Sequence, residues 1–575
     1  MRSLLLLLIL PLSSAQDLPL RVESPRGVVR GFRADYGSNT SSLFYGAADI
    51  FLGIPFAKPP VDELRFQLPV PVCKYDKEIA EPVYKPRCPQ VDGCYGEPAY
   101  NHSEDCLYLN VMSPSINVSR KYPVMVWIHG GGYQAGGADL YSYKGAIRNL
   151  VSRDVVIVTV QYRLSLLGFF TTYTPEFPPN RGAYDQLVAL KWVQEEIEYY
   201  GGDPDRVTLF GESAGGVSVS ALSLSPLSKG LFNQIAMDSG SMNLLYTVPF
   251  DPRGDGSTTS AEQICNVTGS LQDADSIGEL QDCFANMTGD QLADYDMVTG
   301  VSWTLGPDGL LFPANPDVLA KSRLPMPMMV GDMQDEYAAF IPDVKNYKNF
   351  SRDTLVKQMQ AEGLNYITDE DQLNQLVNMA IETYRTKPVD QFDAVDWTKM
   401  TSDAVTGMMF DSGMVQDVGW MRDGGASQIF LFTFNLHTPF ATPITVEGWS
   451  PVLHATDLRY LWFYDYQWTP AVQAGKITWK DYAAADNLGR AFTDFAKRAN
   501  PGWSESTTNN NFVYINENVE GGMKKWREPA RVLYDVAYPS ILTYFPPTNM
   551  SSSTEQMIAQ LGKDLIQQWI SCPPA

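Results

Sequence analysis

The chain has 575 residues, enough for several average domains or for one large α/β unit. Its 43 Lys and Arg against 66 Asp and Glu leave a formal net charge of −23, which repels nucleic acid and anionic membrane surfaces and excludes both as partners. Such a field draws in cations, and it is equally what a soluble, acidic, secreted protein carries.

The chain begins MRSLLLLLILPLSSAQ, with Arg2 before an apolar run from Leu4 to Leu12 and small residues up to Ala15. This pattern predicts a signal peptide over residues 1–15, cut after Ala15. A membrane anchor needs about 20 apolar residues, and the run is too short. No later stretch is apolar enough to span a bilayer, and the ending WISCPPA is neither a retention nor a lipid-anchor signal. Residues 16–575 are therefore expected to be secreted, without a membrane anchor. They are expected to form one domain, because no repeat, low-complexity block or long linker divides them.

Sequons at Asn39, Asn101, Asn117, Asn266, Asn286, Asn349 and Asn549 suit that route as glycosylation sites. The cysteines are Cys73, Cys88, Cys94, Cys106, Cys265, Cys283 and Cys572; six can close three bridges, leaving one over. Cys265 and Cys283 lie close together and far from the others, so they are expected to pair. The first four admit three connectivities.

From Tyr122 to Gly216 the predicted elements alternate. VMVWI and DVVIVTVQY read as strands, DQLVALKWVQEEIEYY as a helix ending at Gly201 and Gly202, VTLF as a strand, and a helix follows Ser213. Further strands are expected at FNQIAMD, MPMMVGD and QIFLFTF. Unalternating apolar runs mark parallel strands buried on both faces, and the intervening helices imply a doubly covered sheet. The fold class is α/β with long insertions.

Two glycine-rich stretches carry chemistry. WIHGGGYQAGG places Gly130, Gly131 and Gly132 directly after an apolar strand, where bare backbone N–H groups can approach a substrate. TLFGESAGG sets Ser213 between Gly211 and Gly215 at a strand-to-helix junction. A serine hydroxyl is a weak nucleophile unless a turn exposes it beside a base, and Gly-x-Ser-x-Gly builds such a turn. Gly131, Gly132 and Ala214 are the expected oxyanion donors. The chain order serine, acid, histidine leaves His437 and His454 as downstream bases, since His102 and His129 precede the serine. MPMMVGDMQDE offers Asp332, Asp335 and Glu336 as acids, and spacing does not choose among them. The Arg253–Gly254–Asp255 tripeptide is read as chance. At the end of the chain, Ile558, Leu561, Leu565 and Trp569 recur at helical spacing, so the 548–575 tail, or Cys572 within it, offers a route to a homodimer.

At these residues the chain resembles the type-B carboxylesterases of the carboxylesterase/cholinesterase family, which have the α/β-hydrolase fold. The likeness is carried by FLGIPFAKPPVDELRF, SEDCLYLNV, WIHGGGY, GGDPDRVTLFGESAGG and HATDLRYLWF. Matched position by position, it implies Ser213 as nucleophile, Glu336 as acid and His454 as base, with Gly131, Gly132 and Ala214 as the oxyanion hole. It also implies bridges Cys88–Cys106 and Cys265–Cys283, leaving Cys73 for Cys94, and bracing ion pairs Arg65–Glu104 and Arg163–Asp185. There are two departures. Tyr337 stands where the family often has glycine. The stretch PQVDGCYGEPAYNH offers only Tyr95 and Tyr100 where cholinesterases carry a choline-binding tryptophan, and tyrosine is the weaker cation platform.

The expectation is a secreted serine carboxylesterase acting on small esters through an acyl-enzyme on Ser213, with no metal or organic cofactor. The alternatives are a choline ester hydrolase and a non-catalytic adhesion member of the family. An interfacial lipase would need an amphipathic lid, and no segment identifies itself as one. Tyr133, Trp303 and Phe340 are candidate pocket residues. An unperturbed imidazole would place the acid limb of activity near about pH 6 to 7.

Overall fold

The computed structural model describes residues 18–572, except 92–99, 118, 243–254, 342–343, 365–366, 443, 445, 523–524, 539–551 and 569–571. Segment 1–15, Cys94, Tyr95, Arg253, Gly254, Asn549 and Trp569 thus lie outside the described residues.

Twelve strands form one sheet in the order β1-β2-β3-β4-β6-β5-β7-β8-β9-β10-β11-β12. They are β1 (Leu18–Ser24), β2 (Gly27–Asp35), β3 (Ala47–Pro55), β4 (Tyr108–Ser113), β5 (Tyr122–Ile128) and β6 (Val156–Val160), followed by β7 (Gly202–Glu212), β8 (Gln234–Asp238), β9 (Met328–Met333), β10 (Ile429–Phe434), β11 (Val513–Ile515) and β12 (Val519–Gly521). From β6 to β11 every neighbouring pair is parallel. The flanks, β1 to β4 against β6 and β12 on β11, are antiparallel. The six expected strands all fall in the parallel block, which is buried on both faces.

The burial follows from strand geometry: successive side chains point to opposite faces. Val124, Val126 and Ile128 of β5 enter one cluster with Leu187 and Val193 of helix α1 (Arg181–Glu196) and Val219 and Leu222 of α2 (Ala214–Leu224). Met125 and Trp127 enter the other, against Phe492 and Phe495 of α3 (Trp479–Arg498). A third cluster, including Tyr337, Leu355, Leu376 and Met408, fills the insertion between β9 and β10. Among the described residues no helix is long and apolar enough to cross a membrane.

Cys88 is bridged to Cys106 and Cys265 to Cys283. Cys73, however, pairs with Cys572 across a sequence separation of 499, with Cα atoms 5.3 Å apart. This corrects the expected Cys73–Cys94 bridge, which was reached by elimination once the other two pairs were assigned. It also removes Cys572 as a link between chains. The C-terminal helix α4 (Ser552–Gln568) buries Ile558, Leu561 and Leu565 in the chain's own core. A Cβ on Gly309 would stand 2.2 Å from the Ile558 carbonyl oxygen, so closely is the helix docked. Its apolar face is used internally and does not support a homodimer. The described sequon asparagines, Asn39, Asn101, Asn117, Asn266, Asn286 and Asn349, are all exposed.

Candidate active site

β7 ends at Glu212 and α2 begins at Ala214, leaving Ser213 to turn the chain at φ 57° and ψ −126°. A residue with a side chain is strained in that region and needs its surroundings to hold it. Two backbone bonds do so: Ser213 N–H donates to Asp238 O, and Val217 N–H to Ser213 O, each at 2.9 Å. The flanking glycines are needed for contact. A Cβ on Gly215 would lie 2.1 Å from the Ile128 carbonyl oxygen, and one on Gly211 would lie 2.6 Å from the Gly215 backbone. The turn is thus pressed against the end of β5, with Ser213 half-buried at its tip.

The loop leaving β5 crosses the same point. A Cβ on Gly130 would stand 2.9 Å from Ser213 Cβ. Gly131 and Gly132 take φ values of 107° and 62°, and the Gly131 carbonyl accepts the N–H groups of Gln134 and Ala135, closing the loop. No described hydrogen bond takes the N–H of Gly131, Gly132 or Ala214. His129 underlies this loop, buried and stacked on Tyr162 at 4.4 Å. Burial pushes its imidazole down to about 4, so it is neutral at pH 7 and its Nδ1–H donates to Gly130 O at 2.9 Å.

Glu336 opens a short 3-10 turn after β9 and is fully buried. Its Oε2 lies 2.6 Å from His454 Nδ1. Its Oε1 accepts the Met333 N–H at 2.7 Å and the Ser239 hydroxyl. The other two carboxylates that spacing left open go elsewhere: Asp332 accepts from Arg527, and Asp335 from the Val452 N–H, at 2.8 and 2.9 Å. Of the two downstream histidines, His437 is exposed, whereas the His454 ring is almost enclosed.

The far side of that ring faces Glu212, the residue before the serine, with Nε2 3.1 Å from Glu212 Oε1. This is an ion-pair approach without hydrogen-bond alignment, since Glu212 Oε1 has no hydrogen-bond partner. Among the described residues no hydrogen bond joins Ser213 Oγ to His454 Nε2. The serine and the imidazole share one neighbourhood, and in this arrangement the nitrogen rests on Glu212. Burial alone would lower the His454 pKa, but the carboxylates of Glu212 and Glu336 outweigh it and push it up to about 9. This lies above the ordinary imidazole value assumed from sequence. Burial pushes Glu212 up to about 8 and Asp457, nearby, up to about 6. The site is a histidine enclosed by acids.

Two phenylalanines wall the imidazole. Phe340 and Phe410 have ring centroids 5.3 and 5.0 Å from that of His454, and Phe340 is 42% exposed. Tyr133 instead packs on Phe169, its hydroxyl 3.2 Å from Ser218 Oγ, and Trp303 belongs to the buried core. The Tyr100 face is covered by the Arg87 guanidinium at 3.7 Å. The bracing pairs are present: Arg65 Nε to Glu104 Oε2 at 2.6 Å, and Arg163 to both Asp185 oxygens at 2.8 and 2.9 Å. Sequence reasoning missed Glu212, Ser239 and Phe410. Glu212 stands inside the GES motif and was open to notice; Ser239 and Phe410 carry no local signal.

The carboxylesterase family model matches residues 19–530. The chain is 30% identical to a medium-chain fatty acyl-CoA hydrolase precursor of Anas platyrhynchos over 83% of its length and 84% of the relative's. It is 30% identical to carboxylesterase 5A of Canis lupus familiaris, covering 89% and 88% of the two chains, and 30% identical to an acetylcholinesterase of Leptinotarsa decemlineata, covering 77% and 74%. The chain belongs to the carboxylesterase family, with its α/β-hydrolase fold, and is a carboxylic ester hydrolase.

Proposed function

We propose that residues 16–575 form a single secreted, glycosylated domain that hydrolyses small carboxylic esters through an acyl-enzyme on Ser213. The observation that carries this is the 2.6 Å contact between Glu336 Oε2 and His454 Nδ1 beside the Ser213 turn. Glu336 fixes the ring so that Nε2 is the nitrogen free to accept a proton. His454 Nε2 takes the Ser213 hydroxyl proton as Oγ attacks the ester carbonyl, and the N–H groups of Gly131, Gly132 and Ala214 receive the oxyanion. Loss of one such donor costs about 3 kcal/mol of transition-state stabilisation. Collapse of the tetrahedral species expels the alcohol, which leaves with the proton from His454. Water, deprotonated by the same nitrogen, then attacks the acyl-enzyme; the acyl–oxygen bond breaks, His454 returns the proton to Ser213 Oγ, and the acid is released.

For this cycle His454 must shed the proton its acidic surroundings favour, and its Nε2 must exchange Glu212 for Ser213. Catalytic hydrogen bonds are often long or misaligned before substrate binds. The Phe340 and Phe410 rings suit an apolar acyl or alcohol group. With the Tyr100 face occupied by Arg87, the structure offers no support for a choline platform there.

The test is stopped-flow hydrolysis of p-nitrophenyl acetate with mass analysis of the quenched protein. A burst of one equivalent and an acetyl adduct on the peptide bearing Ser213 are expected, both absent in Ser213→Ala. An adduct on another residue, or an undiminished burst in the variant, disproves the assignment.

A further inference from the structure

Behind the acid turn, a segment far downstream in sequence reaches the same residues. Arg527 Nε donates to Asp332 Oδ2 at 2.8 Å, and its guanidinium Nη2 donates to the Met333 carbonyl at 2.6 Å. The same Nε lies 3.3 Å from Asp411 Oδ1. Met333 is the residue whose N–H holds Glu336 Oε1 at 2.7 Å. One guanidinium thus grips a side chain and a carbonyl on the two residues at the end of β9, immediately before the turn that carries Glu336. An arginine fork suits this task, because its donors are fixed in one plane.

The surroundings make the grip consequential. Asp332 and Glu336 are fully buried, and Asp411 is 2% exposed. Among the described residues, Arg527 is the only cation paired with Asp332 or Asp411. Burial pushes the Asp411 and Asp332 carboxyls up, and Arg527 is the foremost influence opposing it. Asp403, behind them, is pushed up to about 7 by burial and by Asp335. On the other side of Glu336 stand His454, Glu212 and Asp457; on the arginine's own segment stand Lys525 and Glu528, which pair with each other at 3.7 Å. Arg527 itself takes φ 49°, a left-handed conformation strained for a residue with a side chain, and the preceding Trp526 N–H is pinned to Asn510 O at 2.9 Å. The segment is held in an unfavourable backbone conformation that presents the guanidinium to β9.

We propose that Arg527 is a positioning residue for this reaction: by clamping Asp332 and the Met333 carbonyl it fixes the turn whose N–H orients Glu336, and so sets Glu336 Oε2 against His454 Nδ1. The inference rests on the reading of Glu336 as the acid. It assigns Arg527 no contact with substrate. Its effect travels through the main chain at Met333 and through the charge that faces the buried acids.

The test uses the full secreted chain, p-nitrophenyl acetate as substrate, and burst titration to count active sites. Arg527→Gln is expected to lower kcat per titrated site about tenfold with KM unchanged within about twofold. The acid limb of kcat should move up by about one pH unit, because proton sites that lose a facing cation hold their protons to higher pH. Arg527→Lys, which keeps the charge, should leave the limb in place. Asp332→Asn, which retains an acceptor for Arg527 and removes one buried negative charge, should move the limb down; it carries the test if Arg527→Gln is not recovered folded. A purely structural arginine would reduce the number of titrated sites and leave the limb of the survivors where it was. An unmoved limb in Arg527→Gln, or in Asp332→Asn if that variant alone is recovered, overturns the proposal whatever happens to yield. Glu336→Gln separates the two levels. Wild-type turnover in that variant removes Glu336 as the acid. Impaired turnover there, together with an unmoved limb in the Arg527→Gln or Asp332→Asn variant, removes only the role of Arg527.

Discussion

His454 Nε2 stands 3.1 Å from Glu212 Oε1, across the ring from Glu336 Oε2 at 2.6 Å. Two carboxylates around one imidazole favour its charged form, in which it cannot take a proton from serine. The acid limb of kcat/KM is therefore expected above about pH 7, higher than an unperturbed imidazole would give. Glu212→Gln removes one of the carboxylates and should shift the limb down by about one unit. Paired pH–rate profiles decide this, and coincident curves would remove Glu212 from the account.

Stability should run the opposite way. His454 is raised from 6.5 to about 9 and Glu212 from 4.5 to about 8 in the folded chain. A folded pKa above the unfolded one means that the folded state binds the proton more tightly. Its contribution is full below the unfolded value and is lost as pH climbs through the folded value. Tm should thus decline between pH 4.5 and 9, while turnover rises over the upper part of that range. Thermal melts across this interval test the slope, which should be shallower in Glu212→Gln.

Gly215 and Gly132 should respond differently to the same substitution. In Gly215→Ala the new carbon meets the Ile128 carbonyl at 2.1 Å and His129 backbone atoms at 2.9 Å, neither of which can swing aside. Overpacking of this kind costs about 3 kcal/mol or more. In Gly132→Ala the nearest atom is the Gln134 side-chain oxygen at 3.7 Å, and only the positive φ is penalised, by about 1 kcal/mol. Denaturant unfolding should show the large loss for the first and the small one for the second.

Ser239 donates its hydroxyl to Glu336 Oε1 in a fully buried position. Ser239→Ala leaves that oxygen with the Met333 N–H alone. Removing one partner of a buried charged hydrogen bond costs about 1 to 3 kcal/mol. Lowered kcat with little change in KM is expected, and equal losses in both would point to a disturbed pocket instead.

Six strands of the parallel block, β5 to β10, were legible because each contains an apolar run. The antiparallel edges were not: β2 reads GVVRGFRAD, with two arginines interrupting its alternation, and β12 has three residues; β11, parallel to β10, is equally short. The serine and the glycine loop announce themselves because close approach demands glycine at fixed positions. The candidate acid does not: Asp332 lies on β9 and Asp335 and Glu336 follow it, and the sequence does not show which way each carboxylate is aimed. Family likeness pointed to Glu336, and the three-dimensional contacts separate it from its neighbours. Cys73 and Cys572 lie at opposite ends of the chain, where no spacing rule reaches, and elimination among near neighbours selected the wrong partner.

The Cys73–Cys572 bond closes residues 73–572 into a covalent ring, with the segment that carries β1 to β3 outside it. A single proteolytic nick between those cysteines opens the ring without dividing the molecule. Such a cleaved protein would keep its mass on a non-reducing gel and separate into fragments only when a thiol is added. Intact migration in that assay is therefore no proof of an uncut chain.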